Sequence, residues 1–224
     1  MKKIILISAL FILVLIEPFL SRERQALRLE QHDKLSLSNA LPQLLGELRY
    51  TLASYLWLKA EIYHHELGLT DVTSHVGRGD PKKIGELLGI CRLVTTLDPG
   101  FTQAYDIGSW RLAQGLGKFD KAIQFLDEGI AYNPTNGALY GDKAMIYVLY
   151  MKDCHSAIPS LKQWIKLTDD SLQRINGLRI LGHCFEHEKR YSEAYKTLEA
   201  LDALTPHDPL IKQRLDLLRK KIGR

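Results

Sequence analysis

From about Leu44 onward the apolar residues return at every third or fourth position, and Gly, Pro, Asn and Asp interrupt them at intervals that suit helices of three or four turns. The period-two alternation of a half-buried strand is absent. The pattern predicts an all-α body. A long helix is expected from about Leu44 to Leu67, and a second from Pro81 to Leu97 with Asp80 as its N-cap and proline in its first position. The stretch from Gly68 to Gly79 between them is far longer than a tight helix–helix turn. Near the other end, Asp208-Pro209 opens a polar helix over Leu210 to Lys221.

Within this body the chain repeats itself. Lys118-Phe119-Asp120-Lys121-Ala122-Ile123 is echoed by Asp153-Cys154-His155-Ser156-Ala157-Ile158 and by Arg190-Tyr191-Ser192-Glu193-Ala194-Tyr195, so the three alanines stand 35 and 37 residues apart. Asn133-Pro134 and Thr205-Pro206 each close a segment twelve residues after their alanine, and Asp98-Pro99 stands 35 residues before Pro134. This pattern resembles the tetratricopeptide repeat, whose unit of about 34 residues pairs two antiparallel helices, with a small residue at their crossing and a proline after the second. The last unit matches best. Leu181-Gly182 and Phe185 occupy the Leu-Gly and aromatic positions of its first helix, Tyr191 and Ala194 those of its second, and Pro206 ends it. Gly182 and Ala194 let the two backbones approach, while Phe185 and Tyr191 fill the space beside them.

The other units depart from the pattern at particular positions. The unit ending at Pro134 has Tyr105 for the family's Trp, Ser109 for its Gly, and one extra residue, assigned to the turn Gly115-Leu116-Gly117; its second helix fits, with Phe119, Ala122 and Gly129. The next has Tyr140, Ala144 and Tyr147, but Pro159 lies in the opening turns of its second helix and is expected to disturb that end. Asp169 replaces its closing proline. The expected organisation is an N-terminal apolar segment over 1–20, a linker over 21–43, tetratricopeptide-like repeats over 44–208 and a capping helix over 209–224. The repeats divide into a degenerate first unit at 44–99 and units at 101–134, 135–169 and 175–208.

Charge and composition narrow the function. The net charge of +4 on 224 residues is small, and its excess lies at the tail, in Lys212, Arg214, Arg219, Lys220, Lys221 and Arg224. A nucleic-acid partner is not expected, since phosphate recognition needs a basic face. Cys91, Cys154 and Cys184 have no paired spacing and read as small buried hydrophobes. Lys2 and Lys3 precede an uninterrupted apolar run from Ile4 to Ile16, which Phe19 and Leu20 can extend towards spanning length. A retained anchor is favoured over a cleaved signal peptide, because no small-x-small cleavage site follows. Lys2 and Lys3 on one side of the run face Arg22, Arg24 and Arg28 on the other, so the positive-inside rule does not separate the orientations. The very short basic head favours a membrane-tethered body outside the cytoplasm, in a periplasm-like compartment, with a cytoplasmic-facing body or secretion after cleavage as the alternatives.

Several groups invite a sharper chemistry. Glu61-x-x-His64-His65 has the spacing of a carboxylate–histidine metal motif but lacks the second copy a di-iron bundle needs. His183 and His187, one helical turn apart with Cys184 and Glu186 nearby, could hold a metal from one face, yet the His-Glu-x-x-His order is missing. Gly77-Arg78-Gly79-Asp80 contains an adhesion tripeptide, with Asp80 already used as a cap. The ten tyrosines fall mostly at interior positions of the repeats and read as core. No local nucleophile signature is present, so neither enzymatic activity nor a cofactor is expected.

The resemblance implies a site: first helices of successive units line an inner surface that commonly holds a peptide or helix of another protein. Carried over by position, that surface comprises Gln103, Asp106, Ile107, Trp110 and Gln114, then Asp142, Met145 and Leu149, then Asn176, Arg179, His183 and His187. Trp110 is either the anchor of this groove or a packing residue beneath the long turn. Asn176 and Arg179 resemble clamp residues, but the full carboxylate-clamp pattern of chaperone-binding members is missing. The expectation is a tethered scaffold serving an envelope or secretion-type complex. A metal protein using the helix histidines, and a structural membrane subunit, are the alternatives.

Overall fold

A computed structural model describes the chain over residues 45–66 and 80–223, with the side chains of 64–66 set apart. The expected anchor, the linker, the stretch from Gly68 to Gly79 and the side chains of His64 and His65 lie outside the described residues. Every described residue belongs to one compact unit, 41–224.

Nine α-helices and no strand are present among the described residues: α1 (Leu48–Glu66), α2 (Pro81–Leu97), α3 (Thr102–Trp110), α4 (Phe119–Tyr132), α5 (Gly137–Ile146), α6 (Cys154–Leu167), α7 (Ser171–His187), α8 (Tyr191–Leu204) and α9 (Pro209–Ile222). None of these is long and apolar enough to cross a membrane. Five start on a side-chain cap. Asp80, Asn136, Asp153, Asp170 and Asp208 accept N–H bonds from the first turns of α2, α5, α6, α7 and α9, satisfying donors the helix leaves free. Each helix packs on its neighbour in sequence, and α3 also touches α5, so the first helices of two successive hairpins meet.

The alignment of three alanines has a direct physical meaning. Ala122, Ala157 and Ala194 have no exposed surface, each sitting where a larger side chain would hold the two helices of its hairpin apart. Around them the apolar side chains form two clusters, one from Ala53 to Ile146 and one from Ala144 to Leu218. They meet on α5, which gives Ile146 to the first and Ala144 to the second, and at Tyr147 just beyond it, which packs against both. Polar ties join successive hairpins: the Asn133 side chain donates to the Pro99 carbonyl at 2.9 Å, Lys143 pairs with Asp127, and Arg214 pairs with Glu186.

Two sequence expectations are corrected here. The extra residue assigned to the turn at 115–117 is taken up inside the helix, as a π-helical turn over Arg111–Gly115. A second such turn covers Tyr147–Met151, where the sequence reading placed no insertion. The spacing explains both: Ser109 and Ala122, like Ala144 and Ala157, stand thirteen positions apart, whereas Gly182 and Ala194 in the last unit stand twelve apart. The last unit's first helix, α7, is α-helical throughout. Pro159 does not break α6, which runs unbroken from Cys154 to Leu167; the proline is exposed and leaves the His155 carbonyl without the bond that the proline nitrogen cannot donate. Most of the tyrosines do pack into the core as expected: Tyr105 is fully buried and Tyr63, Tyr140, Tyr147, Tyr150, Tyr191 and Tyr195 pack against the two clusters, while Tyr50, Tyr55 and Tyr132 are exposed.

The link between the two helices of each hairpin recurs as well. Gly117, Lys152 and Lys189 each stand five residues before their alanine and each takes a positive φ, of 66°, 56° and 57°. Only the first is a glycine, so the two lysines hold a left-handed conformation that a Cβ disfavours. The cysteines are all buried thiols. Burial pushes the Cys91 thiol up to about 12 and raises that of Cys184, which lies within hydrogen-bonding reach of Cys154.

Candidate binding groove

The contact between α3 and α5 brings three of the expected groove residues together. Asp106 and Trp110 lie one turn apart on α3, and the Trp110 indole N–H donates to Asp142 Oδ1 on α5 at 3.0 Å. The ring of Trp110 meets Tyr150 edge-on, with centroids 6.2 Å apart, and Tyr150 stacks in turn on Phe119 at 5.5 Å. Whereas the sequence reading set the turn at 115–117 over it, Trp110 packs against the wide turn that follows α5. Tyr150 belongs to that turn, which no α-helical reading of the sequence would have aimed at Trp110.

This cluster is electrostatically unusual. Burial pushes the Asp142 carboxyl up to about 7, the nearby Asp106 carboxylate adds to the rise, and the Trp110 N–H pulls the other way. The Asp106 carboxyl is raised by burial too, with the buried Arg111 guanidinium opposing the shift. Arg111 is a further charged neighbour that the sequence reading passed over. Its signal was an Asp–Arg spacing of five, a pairing that a regular α-helix does not favour.

The remaining groove residues are placed as follows. Gln103, Gln114 and Leu149 are exposed, and Ile107 and Met145 are half-buried. Asn176, Arg179, His183 and His187 stand on α7 and are exposed. Arg179 reaches Asp208 at 3.5 Å, at the start of α9, so it is partly engaged within the chain. The nearest carboxylate to His187 is Glu188, at 3.5 Å. Among the described residues no three His, Cys, Asp or Glu side chains converge as metal ligands would.

The arrangement of hairpins recurs in solved structures. A MamA double mutant from RS-1 superposes with a TM-score of 0.54 at 13% identity, over 75% of this chain and 84% of that one. A crystal structure of MamA gives 0.52 at 16% identity, over 73% and 82% of the two chains. Residues 41 to the end of MamA from Desulfovibrio magneticus RS-1 give 0.51 at 14% identity, over 74% and 86%. The described residues are all-helical and resemble a tetratricopeptide solenoid in fold. At these identities the likeness is one of fold. No family model matches the chain, and no curated protein matches it. Within the stack, α3, α5 and α7 are the first helices of their hairpins, which is where Asp106, Trp110, Asp142 and Arg179 lie.

Proposed function

We propose that this chain is a protein-binding scaffold whose inner helix face, centred on Trp110, holds a peptide or helix of a partner. One observation carries the reading: an indole and two carboxylates from successive first helices converge on one half-buried spot. A rigid aromatic beside desolvated charge is the kind of feature that dominates binding energy, commonly by 2 kcal/mol or more on truncation. Because that spot spans two hairpins, it is preorganised by the packing of the stack, and a partner meets it without paying to order it. The fold supports a display role. We read the run Ile4–Ile16 behind Lys2 and Lys3 as a tether that holds the scaffold at a membrane with its body on the extracytoplasmic side, serving an envelope or secretion-type assembly.

Crosslinked affinity purification from solubilised membranes tests the groove. The intact chain is compared with Trp110→Ala, after circular dichroism has shown equal helicity. A partner recovered by the intact chain and lost from the variant supports the reading. Equal recovery by both places the contact elsewhere and overturns it. Fractionation with and without high salt or carbonate tests the tether, which requires the chain to stay with the membrane under both.

A further inference from the structure

The outward face of α1 has no partner among the described residues. Leu48, Leu52, Tyr55, Leu58 and Ile62 are 70, 38, 54, 57 and 53% exposed. Their spacings of four, three, three and four place them within an arc of about 120° on one side of the helix. The other side carries Ala53 and Ala60, both buried against α2. The helix is thus apolar on two faces, and its neighbours cover one. The exposed stripe amounts to on the order of 500 Å², the upper range of what a monomer leaves open in one patch. It is also more than half of the roughly 800 Å² that one side of a standard interface needs.

We infer that this stripe is the interface of a two-fold dimer, in which α1 packs antiparallel against α1 of a second copy with Tyr55 on the axis. The pattern is its own complement. Leu48 and Ile62 stand seven residues, about 10 Å, to either side of Tyr55, and Leu52 and Leu58 stand three residues, about 4.5 Å, to either side. A two-fold axis at Tyr55 therefore sets Leu48 level with Ile62 of the mate, and Leu52 level with Leu58. An unlike protein would have no reason to require that symmetry. A lipid surface would call for a rim of cations. Here Arg49 is folded over the Tyr50 ring at 4.5 Å, and Lys59, the one charge within the arc between Leu48 and Ile62, lies 5.1 Å from the centre of the Tyr55 ring. An isologous contact uses the stripe of each copy once, so assembly stops at two.

Cysteine crosslinking reads the register directly in the full chain. Single added cysteines are oxidised with copper phenanthroline in freshly broken cells, with the unaltered chain and its buried thiols as background. Tyr55→Cys is expected to give a covalent dimer. Leu48→Cys alone is expected to give none, because it lies about 20 Å from its counterpart along the axis, while co-produced Leu48→Cys and Ile62→Cys chains do crosslink. Adding Leu52→Lys and Ile62→Lys to Tyr55→Cys should abolish the dimer at unchanged helicity. Absence of a Tyr55→Cys dimer, as follows if lipid or an unlike protein covers the stripe, overturns the proposal. Equal crosslinking at every position, the mark of random collision, also overturns it.

Discussion

At Gly129 a Cβ would lie 2.7 Å from Cγ of Tyr105, the ring atom closest to the backbone of a side chain with no room to retreat. Alanine ordinarily stabilises a helix interior by up to about 1 kcal/mol over glycine. Here overpacking wins, and Gly129→Ala is expected to lower stability by about 1–3 kcal/mol in urea denaturation. Gly182 is more forgiving, since its nearest neighbour is Cδ2 of Leu198 at 3.1 Å, the movable end of a side chain. Asp142 gives a pH-dependent prediction. Its carboxyl is raised in the folded chain, so folding favours the protonated form, and its contribution is lost as pH rises from the ordinary carboxylate range through about 7. Asp142→Asn keeps an acceptor for Trp110 and removes the charge. It should raise the melting temperature more at pH 8 than at pH 5; a gain that is equal at both, or larger at pH 5, would contradict the assignment.

Among elements, the hairpin links differ from what the sequence suggests in ways that spacing explains. Periodicity located α2 and α9 because each opens on an Asp-Pro pair, and the three alanines located the hairpin crossings. The π-helical turns were not legible as such: an inserted residue changes the count between landmarks but carries no residue type that says where the backbone will absorb it. The same limit hid part of the site, since Tyr150 reaches Trp110 from within the second wide turn. The repeat pattern put Asp106, Trp110 and Asp142 on facing first helices, and the structure brings these three side chains together; the rise in the Asp142 carboxyl depends on burial, which no spacing reveals. Two predictions belong here. Lys152→Gly and Lys189→Gly relieve left-handed backbone, and each should raise stability by about 0.5 kcal/mol, the gain being reduced by the freedom glycine adds to the unfolded chain. Deleting exposed Leu149 from the second wide turn should leave helicity intact by converting it to α-helix, whereas an equal deletion within α7 should not.

For the stack as a whole, two apolar clusters that meet on α5 imply graded rather than uniform stability, because each hairpin leans mainly on its neighbours. Helix α9 closes the second cluster through Ile211 and Leu218. Ending the chain after His207 should uncover α8 and lower hydrogen-exchange protection in α7 and α8 well before α3 and α4. Equal loss along the stack would show a single cooperative block instead. The hidden thiols also impose an order of events on the young chain. Three is an odd number, so oxidation before folding must strand one sulfur and tie up the other two in a bridge. Once the helices close over them, two of the three are held too protonated to attack and all are out of reach. Wherever this chain meets an oxidant, its safety is therefore a race, won by folding first.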